Sequence, residues 1–402
     1  MNNYGVREIR IVTNEMTYEQ THPWLTFQAD LRDLAAKTWV QLGECAAKCD
    51  QISNVPLKPS TTEELHLIYL AKGIQATTAI EGNTLSEEEV RNIIDEKSQL
   101  PPSKKYLQQE IKNILRACNQ IALHVRDNLR VEITSAKIRE YNFIVLDNLS
   151  IPDHVRPGVY RVQDVGVGRY RGPDPEEVPM LIERLCDWLN SDEFDAAKGH
   201  NPIVLAIIKA IIAHLYIAWI HPFGDGNGRT ARLIEFKILA QSGVPLPAAH
   251  LLSNHYNATR TEYYNQLDKT SKAGGRITDF IAYAVQGYLD GLNEQLGKIR
   301  EQQIEIALEN YIHDQFREKP GETWRRRRHL ALDLSLCEKP VSKDDIPLVS
   351  KRINDAYRNK NIRAISRDLT ILLDMGLIEF VNNKFQIDKR PITAFLPVRR
   401  TR

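Results

Sequence analysis

Apolar residues recur every three to four positions along most of this chain, the period of an amphipathic helix. TEELHLIYLAKGIQATTAI, Thr62 to Ile80, carries that spacing and predicts a helix stopped at Gly82, a natural C-cap. SEEEVRNIIDE predicts the next one. Ser86 can cap it, and Glu89 three residues on gives the capping-box spacing. KYLQQEIKNILRACNQIALHV, SAKIREYNFIVLDNL and PEEVPMLIERLCDWLNS repeat the period. Ile203 to Ile220 is apolar almost all round and about long enough to span a bilayer. Lys209, His214 and the polar turn that follows argue instead for a central core helix. Alternation is rare. Its clearest case is RPGVYRVQDVGVGRYRGPDP, Arg156 to Pro175, which predicts a β-hairpin around Gly166 and Gly168 on a mostly α body.

Towards the C-terminus the pattern changes. DIPLVSKRINDAYRNKN and IRAISRDLTILLDMGLI predict two short helices joined by a turn, and EFVNNKFQI predicts two strands around an Asn-Asn turn. Helix, turn, helix, hairpin is the order of a winged helix. A connecting helix is expected near Leu292 to Lys319. The expected organisation is therefore an N-terminal helical region over 1–110, a core over 111–291, and a linker helix with a winged helix over 292–402.

Composition adds limits. The chain has 402 residues, 42% hydrophobic and 26% charged, with a net charge of only +1, so no global field marks a nucleic-acid or membrane binder. From Gly321 onward, however, basic residues exceed acidic ones by about eight. Cys45, Cys49, Cys118, Cys186 and Cys337 are scattered and odd in number, which suits a reducing compartment better than a disulfide framework. Cys45 and Cys49 sit one helical turn apart with no second pair at zinc spacing, and read as packing residues. The polar, charged N-terminal stretch is not a signal peptide. A cytoplasmic chain with no membrane partner is the expectation.

One stretch concentrates chemistry: AWIHPFGDGNGRTARLIEFKIL, Ala218 to Leu239. Gly224, Gly226 and Gly228 let backbone approach a ligand closely. A loop of free amides opening into a helix is an anion site. Arg229 and Arg232, three apart, share a helix face and can reach one phosphate chain. Asp225 is a hard oxygen ligand suited to Mg²⁺, Asn227 adds an amide, and His221 is the stretch's only general base with a pKa near neutrality. The glycine spacing is wrong for a Walker A loop, and one histidine with one aspartate is no catalytic zinc site.

The stretch resembles the signature HxFx[D/E]GNGRxxR of the Fic (filamentation induced by cAMP) family, matching at His221, Phe223, Asp225, Gly226, Asn227, Gly228, Arg229 and Arg232. The resemblance covers roughly Thr62 to Leu289 and implies a Fic-type helical core. It implies transfer of AMP from ATP to a Ser, Thr or Tyr hydroxyl of a target protein, with His221 as base and Asp225 holding Mg²⁺. Gly226, Asn227, Gly228, Arg229, Thr230 and Arg232 would hold the phosphates, and Tyr264 rather than Tyr263 would face the adenine. Relatives of the Doc branch, which donate phosphate instead, carry lysine where this chain has Gly228.

ATTAIEGN resembles the family's inhibitory [S/T]xxxE[G/N], placing Thr77, Glu81 and Gly82 in a brake whose carboxylate grips Arg232 bidentately. The hairpin resembles the target-binding flap, with Val165, Gly166, Val167 and Gly168 at its tip. Self-modification is expected, and the resemblance admits a homodimer. Two other readings stay open: a Fic-type deadenylylase or other nucleotide transferase, and a DNA-binding regulator whose core only senses ATP. Arg363, Arg367 and Lys384 near the second helix and wing fit DNA or a protein target, and Arg325 to Arg328 read as a solvated basic face.

Overall fold

The computed structural model describes residues 17–57, 59–97, 100–129, 131–168, 170–194 and 201–393. Its helices are α1 (Tyr18–Thr21), α2 (Ala36–Ser53), α3 (Pro59–Ala79), α4 (Glu87–Ile94), α5 (Lys105–Arg126), α6 (Ser135–Leu146), α7 (Val178–Leu189), α8 (Pro202–Ile220), α9 (Asn227–Gln241), α10 (Leu251–Ala258), α11 (Arg260–Lys272), α12 (Ile277–Gln315), α13 (Glu322–Ser335), α14 (Lys351–Tyr357), α15 (Ile362–Asp374) and α16 (Arg390–Thr393). Strands are few: β1 (Gly166–Val167) pairs antiparallel with β2 (Tyr170–Arg171), and β3 (Ile378–Val381) with β4 (Lys384–Ile387).

The chain divides into two compact units, one up to Gln295 and one from Leu296 on, each with its own apolar core. The helical region expected as a separate 1–110 segment shares the first core, because Leu42, Cys45, Ile74 and Ile80 bury against the same cluster as α8 and α9. The connecting helix expected near Leu292 to Lys319 is the second half of a longer one, α12, which runs unbroken from Ile277 to Gln315.

Helix α8 is the centre of the first unit. Asn201 caps it, its side chain accepting from the N–H groups of Ile203 (2.9 Å) and Val204 (3.3 Å). Ile207, Ile208, Ile211, Ile212 and Ile217 have no exposed surface, so its all-round apolarity is spent on protein contacts. The capping box of α4 is complete: Ser86 accepts from Glu89 N, and the Glu89 carboxylate accepts from Ser86 N at 2.9 Å. Cys45, Cys49, Cys118 and Cys186 are buried and free.

Two elements depart from their sequence reading. The long alternating stretch Arg156 to Pro175 pairs only at its tip, with Gly166 opposite Arg171 and Val167 opposite Tyr170. Its first half is turns, because Arg161 is drawn inward to bond main chain elsewhere. Helix α3 stops at Ala79, so Glu81 lies on the terminating turn, where its N–H reaches Thr78 O (3.0 Å) before Gly82 turns the chain at φ +101°.

In the second unit the order is helix α13, a bridge of Val341 to Phe385, helices α14 and α15, then the β3–β4 hairpin. Asn382 and Asn383 both take left-handed backbone (φ 50° and 61°), the conformation a two-residue hairpin turn demands. The basic run reads differently once folded. Arg326 and Arg327 each place Nε 2.8 Å from the buried Asp368 carboxylate, so two of its four arginines face inward.

Candidate active site

The HPFGDGNGRTAR stretch is the junction of α8 and α9. His221 ends α8 in left-handed backbone (φ 49°, ψ 60°), sparsely populated space for a residue with a Cβ. Gly226 does the same at φ 76° and caps α9, where a side chain would press on Asn142 and Leu146. Two amides lock the turn between them. Asn227 accepts from Phe223 N (2.9 Å) and donates to Phe223 O (2.8 Å). The fully buried Asn142 donates to Asp225 O (2.9 Å) and Thr230 Oγ1 (3.3 Å) and accepts from Gly158 N (3.0 Å).

These bonds reassign two expected ligands. Asn227 spends its side-chain amide on Phe223 and can offer an anion only its N–H. Thr230 has no exposed surface, its hydroxyl faces Asn142, and its N–H closes the first turn of α9 on Gly226 O (2.9 Å). It supports the turn and touches no ligand with its side chain. The N–H groups of Asn227, Gly228 and Arg229 precede that first intrahelical bond and remain for an anion at the positive end of the helix.

His221 is shifted to a neutral base. Burial pushes its pKa down to about 4. The Ala218 carbonyl bonded to the ring pulls the other way, the Arg161 charge pushes further down, and Glu81 and Asp225 oppose. Arg161 was not singled out by any sequence signal, yet it fastens the stem of the hairpin to the turn. Its Nε donates to His221 O (2.8 Å), Nη1 to Gln163 O (3.0 Å) and Nη2 to Pro173 O (2.6 Å), and its own N–H reaches Pro222 O (2.9 Å).

The two arginines of α9 differ. Arg229 is buried between two carboxylates: Nη1 donates to Glu110 of α5, and Nη2 to Asp225 Oδ1 at 3.1 Å. Glu110, also missed, accepts from Asn83 Nδ2 at 2.9 Å as well. Burial raises its pKa, against the pull of Arg229 and Asn83. Only the buried Nε of Arg229 lacks a partner, so this side chain holds the site together rather than standing free for phosphate. Arg232 is fully buried, and its Nη2 donates to Thr77 O (3.0 Å) and Glu81 Oε1 (2.6 Å). Its Nε and Nη1 have no partner. The expected bidentate grip is thus a single-oxygen one, with half of the guanidinium fork left over. Thr77 takes part through its carbonyl.

Glu81 and Gly228 fit each other. A Cβ on Gly228 would collide with Glu81 Oε1 and crowd both Arg232 amino groups, so the bare α-carbon is what seats the carboxylate. Burial alone would raise the Glu81 pKa, but Arg232, with Arg229 and His221 adding, brings it below the usual value. Its side chain keeps about a third of its surface exposed, at 32%.

Asp225 Oδ1 accepts from Gly226 N (2.5 Å) and Arg229, and its side chain stays 38% exposed. Among the described residues no group of three or more His, Cys, Asp or Glu could hold a metal ion. A lone carboxylate suits Mg²⁺, which keeps waters and takes its other ligands from substrate phosphates. Tyr264 is exposed (42%), whereas Tyr263 is buried with its hydroxyl 2.8 Å from His214 Nε2. Of the two adjacent rings, only Tyr264 offers a free face to a base. At the hairpin, His22 Nε2 donates to Arg171 O (2.8 Å) on the outer side of β2, and Tyr170 anchors to Trp219 O (2.6 Å).

Comparison with known proteins agrees with this geometry. Residues 132–239 match the Fic/DOC family. A protein adenylyltransferase fic-1 of Caenorhabditis elegans is 30% identical over 240 residues, which is 59% of this chain and 42% of that protein. The chain therefore spans about two fifths of that relative. Fic-1 of C. elegans superposes with TM-score 0.52 at 26% identity, covering 66% of this chain and 74% of that structure. A Fic family protein of Desulfovibrio desulfuricans superposes with TM-score 0.56 at 20% identity, covering 90% and 98% respectively, a likeness of fold. Sequence signature, turn geometry and relatives converge: a domain of the Fic/DOC family stands at the centre of this chain.

Proposed function

We propose that the protein is an adenylyltransferase that moves AMP from ATP to a hydroxyl of a target protein, its own chain included, and that Glu81 restrains it. The observation that carries this reading is the intact turn. A histidine held neutral stands at one end, free helix-start amides at the other, and two guanidinium nitrogens of buried Arg232, Nε and Nη1, lie unsatisfied. His221 accepts the proton of the incoming hydroxyl, whose oxygen forms a bond to the α-phosphorus as the bond to pyrophosphate breaks. The N–H groups of Asn227, Gly228 and Arg229 hold the phosphate oxygens, and Arg232 takes the γ-phosphate once Glu81 leaves. Arg229, pinned by Glu110, keeps Asp225 aimed. A Mg²⁺ arriving with ATP, taken by Asp225, would screen the phosphate charge.

The target strand adds to the free edge of β1, over Val165, Gly166, Val167 and Gly168, since His22 occupies the outer edge of β2. Tyr264 stacks on the adenine. A deadenylylase reading draws on one feature: Glu81 Oε2 has no protein hydrogen bond among the described residues and could orient a water. We read the second unit as a winged helix.

The test is ATP labelled at the α- or the γ-phosphate, incubated with the full chain and Mg²⁺. Protein-bound label from α-labelled ATP alone is expected. Label from γ-labelled ATP would make the enzyme a phosphotransferase and overturn the reading.

A further inference from the structure

The second unit carries a strong excess of positive charge, and its buried acidic residues are spent internally. Asp368 lies under Arg326 and Arg327, Asp333 pairs with Arg352, and Asp388 and Glu379 both take Arg390. Arg363 and Arg367 on α15 are exposed, with no ion pair among the described residues, and so is Lys384 at the hairpin turn. Arg358 and Lys360, in the four-residue turn between α14 and α15, are exposed too.

Helix α15 sorts its residues by face. Ile365, Asp368, Leu369 and Leu372 are buried in the unit's own core. Arg363, Ser366, Arg367 and Thr370 fall at i, i+3, i+4 and i+7 on the opposite face. From Arg363 to Thr370 that outward face has two guanidinium groups and two hydroxyls, and the exposed Asp374 follows one turn further on at the end of the helix. From Arg363 to Thr370 it rises about 10 Å, close to the roughly 12 Å width of a major groove. A tight helix-turn-helix followed by a hairpin with a basic tip is the geometry that sets a helix in a groove and a wing on the phosphates beside it.

We propose that the α15 face, with Lys384 on the hairpin, is a duplex DNA-binding surface. Arg363 and Arg367 reach base edges or phosphates in the major groove, and Lys384 takes backbone phosphate. This surface does not depend on the transfer chemistry of the other unit. Charge decides for DNA over a protein partner: from Arg363 to Thr370 the face presents two guanidinium groups, unpaired among the described residues, and no acidic residue, with Asp374 standing one turn beyond, so a polyanion is its complement.

The experiment uses the full chain and a fluorescein-labelled 30-base-pair duplex of mixed sequence, read by anisotropy between about 50 and 200 mM salt. Binding that weakens steeply with salt is expected. Arg363→Ala with Arg367→Ala should lower the log–log salt slope by about two and weaken binding roughly tenfold or more at the lowest salt. Lys269→Ala with Lys272→Ala removes the same charge from α11 and should change neither. Circular dichroism and melting temperature check that each variant is folded. Absence of wild-type binding at about 50 mM salt up to about 100 µM protein would overturn the proposal. Equal losses in the two double variants would overturn it as well, by making the effect one of net charge. Loss of target modification by the α15 variant, with no DNA binding by the wild type, would assign the face to protein docking and sink it.

Discussion

At the residue scale the site turns on one histidine and two unequal arginines. His221 is held to a pKa of about 4, so it is unprotonated and ready as a base throughout the neutral range. Isotope-edited NMR of the histidine rings should find one titrating at about 4 instead of the usual 6.5, and missing in His221→Ala. A His221 ring titrating near 6.5 would contradict the burial that the turn imposes. Because the folded value is depressed, the corresponding stability is complete above about 6.5 and is lost as pH falls through about 4. His221→Ala should also lower AMP transfer by about 10²- to 10⁴-fold while ATP still binds. That His221, Asp225 and Arg232 gather at one turn was legible because their spacing is unusual. What spacing could not tell was that Asn227 and Thr230 face inward, or that Arg229 is pinned by Glu110. Asn227 turns back on Phe223 within the turn itself, whereas Thr230 and Arg229 depend on partners over eighty residues away, Asn142 and Glu110.

At the scale of elements, helix period and turn chemistry carried most of the reading. The α4 capping box, the buried α8 and the Asn382–Asn383 hairpin turn each follow from local rules that tertiary contacts reinforce. The hairpin over Arg156 to Pro175 did not, since alternation alone cannot reveal that Arg161 leaves the strand path to bind carbonyls of Pro173 and of the α8–α9 turn. That tie makes a prediction. Arg161→Ala leaves the His221 and Pro173 carbonyls without their donor, at a cost of about 1–3 kcal/mol. Arg161→Lys should restore little of it, because an ammonium lacks the planar fork that reaches several carbonyls at once. Urea unfolding of the three proteins checks this. A wild-type midpoint for Arg161→Ala would show that the hairpin stem is not fastened there.

At the scale of the whole molecule, the separation into two cores predicts a separation of tasks. Every residue assigned to nucleotide lies before Gln295, so a chain ending there should bind ATP as the full chain does, by calorimetry. A folded truncation that binds no nucleotide would show that the second unit completes the site. Within the first unit, the proposed AMP transfer is held back by one carboxylate. Glu81 Oε1 sits 2.6 Å from Arg232 Nη2, a charge-assisted bond worth about 1.5–3 kcal/mol, which corresponds to roughly ten- to a hundredfold in productive ATP binding. The most direct measurement is AMP incorporation from α-labelled ATP by wild type, Glu81→Gly, and Glu81→Gly with Arg232→Ala. Incorporation should rise by at least that order in Glu81→Gly and fall back in the double variant, since the arginine released is the one the reaction uses. Equal incorporation by wild type and Glu81→Gly, with both proteins folded, would contradict the account.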